Sequence, residues 1–248
     1  MSFEVNLPAF CTSSDNHLPW PRPLTDLPLV SLDFDEARLQ DQDFERAGIG
    51  MPQTLQRAVA KRKAEYLAGR LCAREALRKA IGVEAVPGTG EDRAPQWPDG
   101  SVGSITHSHG KAAAIVGAAP HYASVGLDLE HTMPDARAVK LADQILTTAE
   151  QQRFVQALAD QPGEFLTLTF SLKEALFKTL YPLTLKRFYF EHAELLDWSA
   201  EGVARVRLLT DLSQEWQSGR ELTGQFINRS GQILSLIAVD RDLRSDSF

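Results

Sequence analysis

The pattern of apolar and polar positions divides the chain into helical and extended stretches. Apolar residues recur every three or four positions over 53–80, which predicts a long helix that ends near Gly82. Short apolar runs separated by glycine and proline predict strands over 102–130, and helical spacing returns over 137–180. Further strands are predicted over 187–240. This order of helix, strands, helices and strands favours an α+β fold.

The first fifty residues and the two cysteines bear on location. Residues 1–52 are rich in proline and predict irregular or extended backbone rather than helix. The first ten residues lack the basic and apolar regions of a signal peptide, and no apolar run approaches the roughly 20 residues that span a bilayer. Cys11 and Cys72 show no metal-ligand spacing and are interpreted as reduced thiols. We therefore expect a cytoplasmic protein without a membrane segment.

Composition and charge narrow the possible functions. The chain has 248 residues, of which 43% are hydrophobic and 24% are charged, as is ordinary for a globular protein. Its formal net charge is −7, whereas a general nucleic-acid binder normally has a basic excess. We therefore expect no nucleic-acid partner.

The segment VGLDLE, residues 125–130, carries the first candidate chemistry. Side chains alternate along a strand, so Gly126, Asp128 and Glu130 share one face. Two like charges at this spacing repel each other, and a Mg²⁺ ion with its preference for carboxylate oxygen relieves that cost. Gly126 would let a ligand approach the backbone. The alternative is a solvent-exposed strand face with two ordinary acids.

The segment FSLKEALFK, residues 170–178, carries the second set of candidate functional residues. On a helix, Ser171, Glu174 and Lys178 fall in a narrow polar wedge, while Lys173 falls inside the apolar arc. In the functional interpretation, Glu174 completes a three-carboxylate metal site and Lys178 neutralises a phosphate or protonates a leaving group. In the alternative, Glu174 and Lys178 pair with each other and Lys173 extends to water.

The long helix carries a row of basic residues. Four arginines lie on one side of it, namely Arg62, Arg70, Arg74 and Arg78. Such a row is either a solvated face or a surface for phosphates, which suit the fork geometry of arginine. Gly69 within this helix lowers helix propensity and suggests that another backbone or a ligand comes close.

The segment SITHSHG, residues 104–110, ends a predicted strand and enters a turn. His107 and His109 could be metal ligands, but Mg²⁺ disfavours imidazole. Thr106 and His107 are plausible phosphate donors. A surface or packing histidine is the alternative.

Together these segments resemble the 4′-phosphopantetheinyl transferases of the Sfp-type superfamily, in the branch related to enterobactin synthetase component D. Four segments occur in the family's order: KRKAEYLAGRLCAREAL, then RAPQWPDG followed by SITHS, then VGLDLE, then FSLKEALFK. The resemblance covers roughly residues 55–185. It implies that the phosphopantetheine arm of coenzyme A is transferred to a serine of an acyl or peptidyl carrier protein, by an enzyme of the holo-acyl-carrier-protein synthase type. We expect the enzyme to act as a monomer.

Carried over residue by residue, the resemblance implies that Asp128, Glu130 and Glu174 bind Mg²⁺. It places Lys178 near the transferred phosphate, and either Glu130 or Glu174 takes the serine proton. Contacts with coenzyme A are implied for Arg62, Arg70, Arg74, Arg93, Thr106, His107, Lys173 and Lys178. Phe170 stands where the family motif often has tryptophan.

The resemblance also implies a fold of two pseudo-symmetric halves, each a small, mostly antiparallel sheet with a long helix. Residues 1–123 contain the irregular segment, the basic helix and the phosphate loop, and residues 124–248 contain the metal strand, the metal-and-lysine helix and the last strands. The active site is expected at their interface. Two other functions share these residues: a Mg²⁺-dependent nucleotide phosphohydrolase, and a non-catalytic module that binds coenzyme A or protein.

Overall fold

The computed structural model describes residues 7–13, 20–23 and 26–241, which separate into two compact units. The first unit contains 7–13 and 26–122, and the second contains 20–23 and 123–241. The sequence pattern does not indicate that 20–23 belongs with the second unit. Each unit has a sheet and a long helix, so the expected α+β class is confirmed.

The first unit is built on a four-stranded sheet with the order β1-β2-β6-β5, in which every pairing is antiparallel. In chain order its strands are β1 (Cys11–Ser13), β2 (Leu29–Phe34), β3 (Gly88–Thr89), β4 (Pro95–Gln96), β5 (Ser101–Ser108) and β6 (Lys111–Ala118). Its helices are α1 (Gln42–Arg46) and α2 (Ala60–Ile81). The short strands β3 and β4 form a separate hairpin.

The N-terminal segment is more regular than expected. Leu29–Phe34 is a six-residue strand that pairs on both sides, with β1 and with β6. Val30 and Leu32 are fully buried, so this apolar run belongs to the core of the unit. The extended backbone expected here is therefore confirmed over β2, whereas the short helix α1 contradicts the expectation that residues 1–52 form no helix. Residues 1–6, 14–19 and 24–25 of this segment lie outside the described residues.

Helix α2 packs its apolar residues against β2, β5 and β6. It begins at Ala60, later than the predicted start at 53, because the chain first makes a short 3-10 turn over Gln53–Leu55 and is extended at Val59. It ends at Gly82, which is left-handed with φ of 70°. A Cβ on Gly69 would lie 2.9 Å from Ile105 Cγ2. A side chain of β5, rather than a ligand or a backbone, explains this glycine.

The second unit is built on a five-stranded sheet with the order β7-β11-β10-β9-β8. Its strands are β7 (Tyr122–His131, shared at Tyr122 with the first unit), β8 (Ala193–Trp198), β9 (Val203–Leu208), β10 (Glu221–Arg229) and β11 (Gln232–Asp240). Its helices are α3 (Asp135–Ile145), α4 (Thr148–Arg153), α5 (Val155–Asp160) and α6 (Pro162–Thr184). Strands β8 to β11 pair antiparallel.

Helix α6 is the core helix of the second unit and packs against α3 and β11. Leu172, Leu176 and Leu180 are fully buried along it, as the helical spacing predicts. The strand predicted from residue 187 begins only at Ala193, because a 3-10 turn occupies Phe190–His192. Apolar residues in this connection pack in the core of the unit but do not pair with a strand of the sheet.

Candidate active site

The predicted metal strand and the predicted metal-and-lysine helix touch at a glycine. A Cβ on Gly126 would lie 2.0 Å from the Ala175 carbonyl oxygen and 2.3 Å from Thr179 Oγ1. Only hydrogen fits there, so the backbone of β7 lies directly against α6. Gly126 was expected to leave this space for a ligand. That interpretation is corrected: the helix fills it, and the glycine brings the two motifs together.

Asp128 and Lys178 form an ion pair across this contact. Lys178 Nζ lies 2.6 Å from Asp128 Oδ1 and donates a second hydrogen bond, of 3.1 Å, to the Leu127 carbonyl oxygen. The Asp128 side chain is 5% exposed and that of Lys178 is 27% exposed. The alternative pairing of Lys178 with Glu174 is thus replaced by a pairing with the strand. Residues 50 apart in sequence meet here.

Glu174 is half-buried one turn before Lys178 on α6. Burial raises the pKa of its carboxyl, Lys178 lowers it and Asp128 raises it again. These opposing effects place the three charged groups within mutual electrostatic reach. Glu130 is half-buried on β7, two residues beyond Asp128 and therefore on the same strand face.

These residues suit a hard divalent cation by their chemistry. Asp128, Glu130 and Glu174 offer carboxylate oxygens, and the repulsion between Asp128 and Glu174 is a cost that a cation removes. Within the described part of the chain, no group of three or more acids, histidines or cysteines is already arranged to hold a metal ion. The three carboxylates are suitable donors for Mg²⁺, and that of Asp128 is paired with Lys178.

Lys173 does not fit the expected contact with coenzyme A. Its side chain is 2% exposed, and Nζ donates to Glu150 Oε2 at 2.7 Å and to the carbonyl oxygens of Ile145 and Phe190. All three ammonium hydrogens are satisfied by the protein. We correct its role to that of a structural ion pair, and the idea that it extends to water is wrong as well.

Glu150 is the other half of that pair, and its role was not identified from the sequence. Its carboxylate is fully buried and accepts from the backbone nitrogens of Thr147 at 2.7 Å and Leu195 at 2.6 Å. The bond to Thr147 belongs to a capping box at the start of α4. One carboxylate thus ties α4 and β8 to Lys173 of α6.

In the first unit, Arg62 and His107 come together. Arg62 Nη1 lies 3.2 Å from His107 Nε2. Because guanidinium only donates, Nε2 accepts, which leaves the imidazole hydrogen on Nδ1, 3.7 Å from Glu65 Oε1. Arg62 is exposed and His107 is half-buried, so both can meet an anion. Glu65 is a buried partner that the sequence analysis did not identify.

Arg70 and Arg74 lie further along α2 and serve the chain itself. Buried Arg70 donates to the Gly88 carbonyl oxygen and to Thr89 Oγ1, at 3.1 and 2.9 Å, and its guanidinium lies 4.8 Å from the centre of the Tyr66 ring. Arg74 donates to the Ala47 carbonyl oxygen at 2.6 Å. The basic row is therefore not one solvated face, and burial counts against a coenzyme contact of Arg70.

Two more predicted contacts lie in different settings. Thr106 is buried, and the alternation along β5 turns it to the face opposite His107. Arg93 is exposed in the turn between β3 and β4, with a left-handed φ of 72°. Their contacts with coenzyme A stay predictions.

Comparison with known proteins identifies the family. Residues 51–117 match the 4′-phosphopantetheinyl transferase N-terminal domain, and residues 124–234 match the 4′-phosphopantetheinyl transferase superfamily. Among the described residues, no helix is long and apolar enough to cross a membrane.

Named relatives agree with this match. The chain is 39% identical to enterobactin synthase component D of Salmonella typhi over 88% of its own length and 89% of that protein. It is 36% identical to the 4′-phosphopantetheinyl transferase Svp of Streptomyces mobaraensis, over 74% of each chain, and 33% identical to PptT of Mycobacterium tuberculosis, over 67% of this chain and 78% of that one. The chain belongs to the 4′-phosphopantetheinyl transferase superfamily and is a phosphopantetheinyl transferase of the enterobactin synthase component D-like branch.

Proposed function

We propose that this transferase moves the 4′-phosphopantetheine arm of coenzyme A to a serine of an acyl or peptidyl carrier protein, with Mg²⁺ held by Asp128, Glu130 and Glu174. The observation that carries the assignment of the site is the 2.6 Å contact between Lys178 Nζ and Asp128 Oδ1, beside Glu174. It joins the two predicted motifs in one group of acids and lysine.

The residues take the following roles in this proposal. Bound Mg²⁺ neutralises charge on the diphosphate of coenzyme A. Lys178 binds a diphosphate oxygen, and Glu174 or Glu130 accepts the proton of the carrier serine. The serine oxygen bonds to the β-phosphorus, the bond from that phosphorus to the bridging oxygen breaks, and adenosine 3′,5′-bisphosphate leaves.

In the first unit, we assign a phosphate contact to Arg62 and His107, and the proposal extends to Arg74, Arg93 and Thr106. The support is the accessible Arg62–His107 pair, in which the exposed guanidinium can donate to phosphate oxygens. Glu65 orients the imidazole from its other side. Arg62→Ala is expected to raise the KM for coenzyme A more than it lowers kcat.

The test mixes the full chain with coenzyme A, Mg²⁺ and a panel of apo-carrier proteins, and follows the carrier by mass spectrometry. Carriers of siderophore synthesis are the first choice, since relatives are named enterobactin synthase component D. A mass gain on the carrier supports transfer. Release of free phosphopantetheine without a gain supports hydrolysis, and neither product supports a binding module.

The assignment of the site is tested by a matched pair of variants. Asp128→Asn is expected to slow transfer by about 10³-fold, because several kcal/mol of charge stabilisation is lost. Asp160→Asn makes the same charge change at an exposed position of α5 and leaves the rate unchanged. A near wild-type rate in Asp128→Asn would refute the proposed site, whatever the carrier.

A further inference from the structure

The ion pair at Asp128 bears on how the site takes up its metal. Lys178 Nζ contacts the carboxylate that the proposed function gives to Mg²⁺, at 2.6 Å. A second hydrogen bond to the Leu127 carbonyl oxygen fixes the ammonium on this strand. The carboxylate is nearly buried, so the lysine covers an oxygen that has few other approaches.

An ammonium and a divalent cation compete for the same carboxylate. Like charges at contact distance repel, and the repulsion is strong where water is scarce. Lys178 also stabilises the ionised form of Glu174, whereas Asp128 opposes it. The positive charge of Lys178 thus offsets the negative charges of Asp128 and Glu174, as a bound metal ion would.

We propose that Lys178 is a built-in competitor for divalent metal at Asp128, and that it releases the carboxylate when a phosphate of coenzyme A takes up the ammonium. This inference rests on the proposed function, because it uses the same carboxylates and the same phosphate. A lysine side chain has the reach to exchange one oxyanion for another without a change in the fold. Its partial exposure leaves room for that exchange.

The consequence is a thermodynamic coupling between coenzyme A and the metal. Coenzyme A removes the competitor, so it tightens metal binding, and linkage requires that the metal tightens coenzyme binding by the same factor. The site would then gain its cation together with its substrate rather than before it. If Lys178 instead remained on Asp128 during metal binding, coenzyme A would tighten the binding of metal to wild type and to Lys178→Met by the same factor.

The experiment titrates the full chain with Mn²⁺, which binds oxygen ligands as Mg²⁺ does and whose free form is counted by electron paramagnetic resonance. Without coenzyme A, Lys178→Met is expected to bind Mn²⁺ at least about tenfold more tightly than wild type, within the usual range of coupling between sites. Adding coenzyme A without carrier protein should tighten binding to wild type by about 5–150-fold and tighten binding to Lys178→Met by a smaller factor.

Two further variants isolate the cause. Lys186→Met removes the same charge from an exposed position just after α6 and should match wild type. Lys178→Arg keeps the charge and should retain weak metal binding and the coupling, even if Lys178→Met folds poorly. Equal or weaker Mn²⁺ binding by folded Lys178→Met overturns the inference.

Failure of the proposed function would look different. In that case Asp128→Asn would bind Mn²⁺ as wild type does and would still transfer phosphopantetheine. If Asp128→Asn loses metal and activity while Lys178→Met shows no tighter binding, the site stands and only the competition is wrong. Binding data and transfer data together therefore separate the two claims.

Discussion

Two lysines on α6, five positions apart, each pair with a carboxylate at nearly the same distance. Lys173 lies 2.7 Å from Glu150 and Lys178 lies 2.6 Å from Asp128. The first pair is closed to solvent, with side chains 2% and 0% exposed, whereas Lys178 is 27% exposed. Burial lowers the pKa of Lys173, and Glu150 opposes that shift. Distance alone does not distinguish a structural ion pair from one that can exchange its partner.

The difference lies in how far each ammonium is satisfied. Lys173 donates to three acceptors from three segments, and Glu150 accepts two backbone hydrogen bonds besides. A buried ammonium that makes all of its hydrogen bonds would lose them if it moved, so it stays in place. Lys178 donates to two acceptors on one strand and keeps access to solvent. We therefore expect loss of Lys173 to damage the fold and loss of Lys178 to damage the chemistry.

The largest effect on stability is expected for Lys173→Met. The variant leaves the Glu150 carboxylate buried with its backbone donors only, and breaking a buried pair in this way costs about 3–5 kcal/mol. At about 2–4 °C per kcal/mol for a chain of this size, Tm should fall by roughly 6–20 °C. Thermal melts followed by circular dichroism measure this.

Lys178→Met is the matched control for that melt, because it makes the same substitution on the same helix. Its loss of Tm should be less than half as large, since Lys178 is 27% exposed and water can take part of the space that the ammonium leaves. A larger loss in Lys178→Met than in Lys173→Met would reverse the comparison.

The largest effect on the rate is expected for Lys178→Met. Removing a positioned donor from a site that stabilises developing charge typically costs about 10²–10³-fold in kcat. The carrier mass-shift assay, corrected for folded protein, measures it. Lys173→Met should retain far more activity per folded molecule. Equal loss in both variants would show that Lys173 also touches the reactants.

A smaller effect is expected where β7 meets α6. Gly126→Ala places a Cβ 2.0 Å from the Ala175 carbonyl oxygen, and backbone cannot rotate away. Overpacking of this kind costs about 1–3 kcal/mol and should also separate Asp128 from Lys178. Melts and Mn²⁺ titration report the two consequences.

Gly224→Ala on β10 of the same sheet is the control for that variant. There the new Cβ would lie 3.0 Å from Leu172 Cδ2 and 3.3 Å from Ile237 Cγ1, which are side-chain atoms, and a looser 3.5 Å from the Leu236 carbonyl oxygen. Its melt should change by less than that of Gly126→Ala, and its metal affinity should not change. Similar losses in both variants would mean that the tight strand–helix contact has no special role.

Periodicity was sufficient for the main elements. It predicted α2 and the strands β5 to β7 and β9 to β11, because each depends on local sequence. It did not predict β2 or the late start of β8, since an apolar run becomes a strand only when a partner strand is present. The assignment of residues 20–23 to the second unit also depends on contacts distant in sequence.

The sequence predicted the candidate residues of the site but not how they pair. Residue types and spacing were enough to single out Asp128, Glu174 and Lys178, but not to say which acid holds which lysine. Helical spacing did place Lys173 in the apolar arc, yet nothing local reveals that Glu150, 23 residues earlier, is its partner. The sequence indicated correctly that Gly126 leaves space for another group to come close. That group is helix α6 rather than a ligand.

The smallest effect is a gain in stability from Glu174→Gln. Burial raises the pKa of the Glu174 carboxyl above its ordinary value of about 4.3, so the folded protein holds this proton to higher pH than the unfolded chain does. Stability therefore falls as pH rises from that ordinary value through the folded pKa. Glutamine cannot ionise, so the variant escapes this cost.

Melts of wild type and Glu174→Gln from pH 4 to pH 8 are expected to show a higher Tm for the variant at pH 8 and convergence near pH 4. The same substitution made in Lys178→Met should give a larger gain, because Lys178 lowers the pKa of Glu174 and its loss raises that pKa further. No such enlargement is expected in Lys173→Met, since Lys173 does not contribute to that pKa shift. A gain independent of pH, or one enlarged by Lys173→Met instead, would mean that Glu174 belongs with the buried lysine rather than with the exchangeable one.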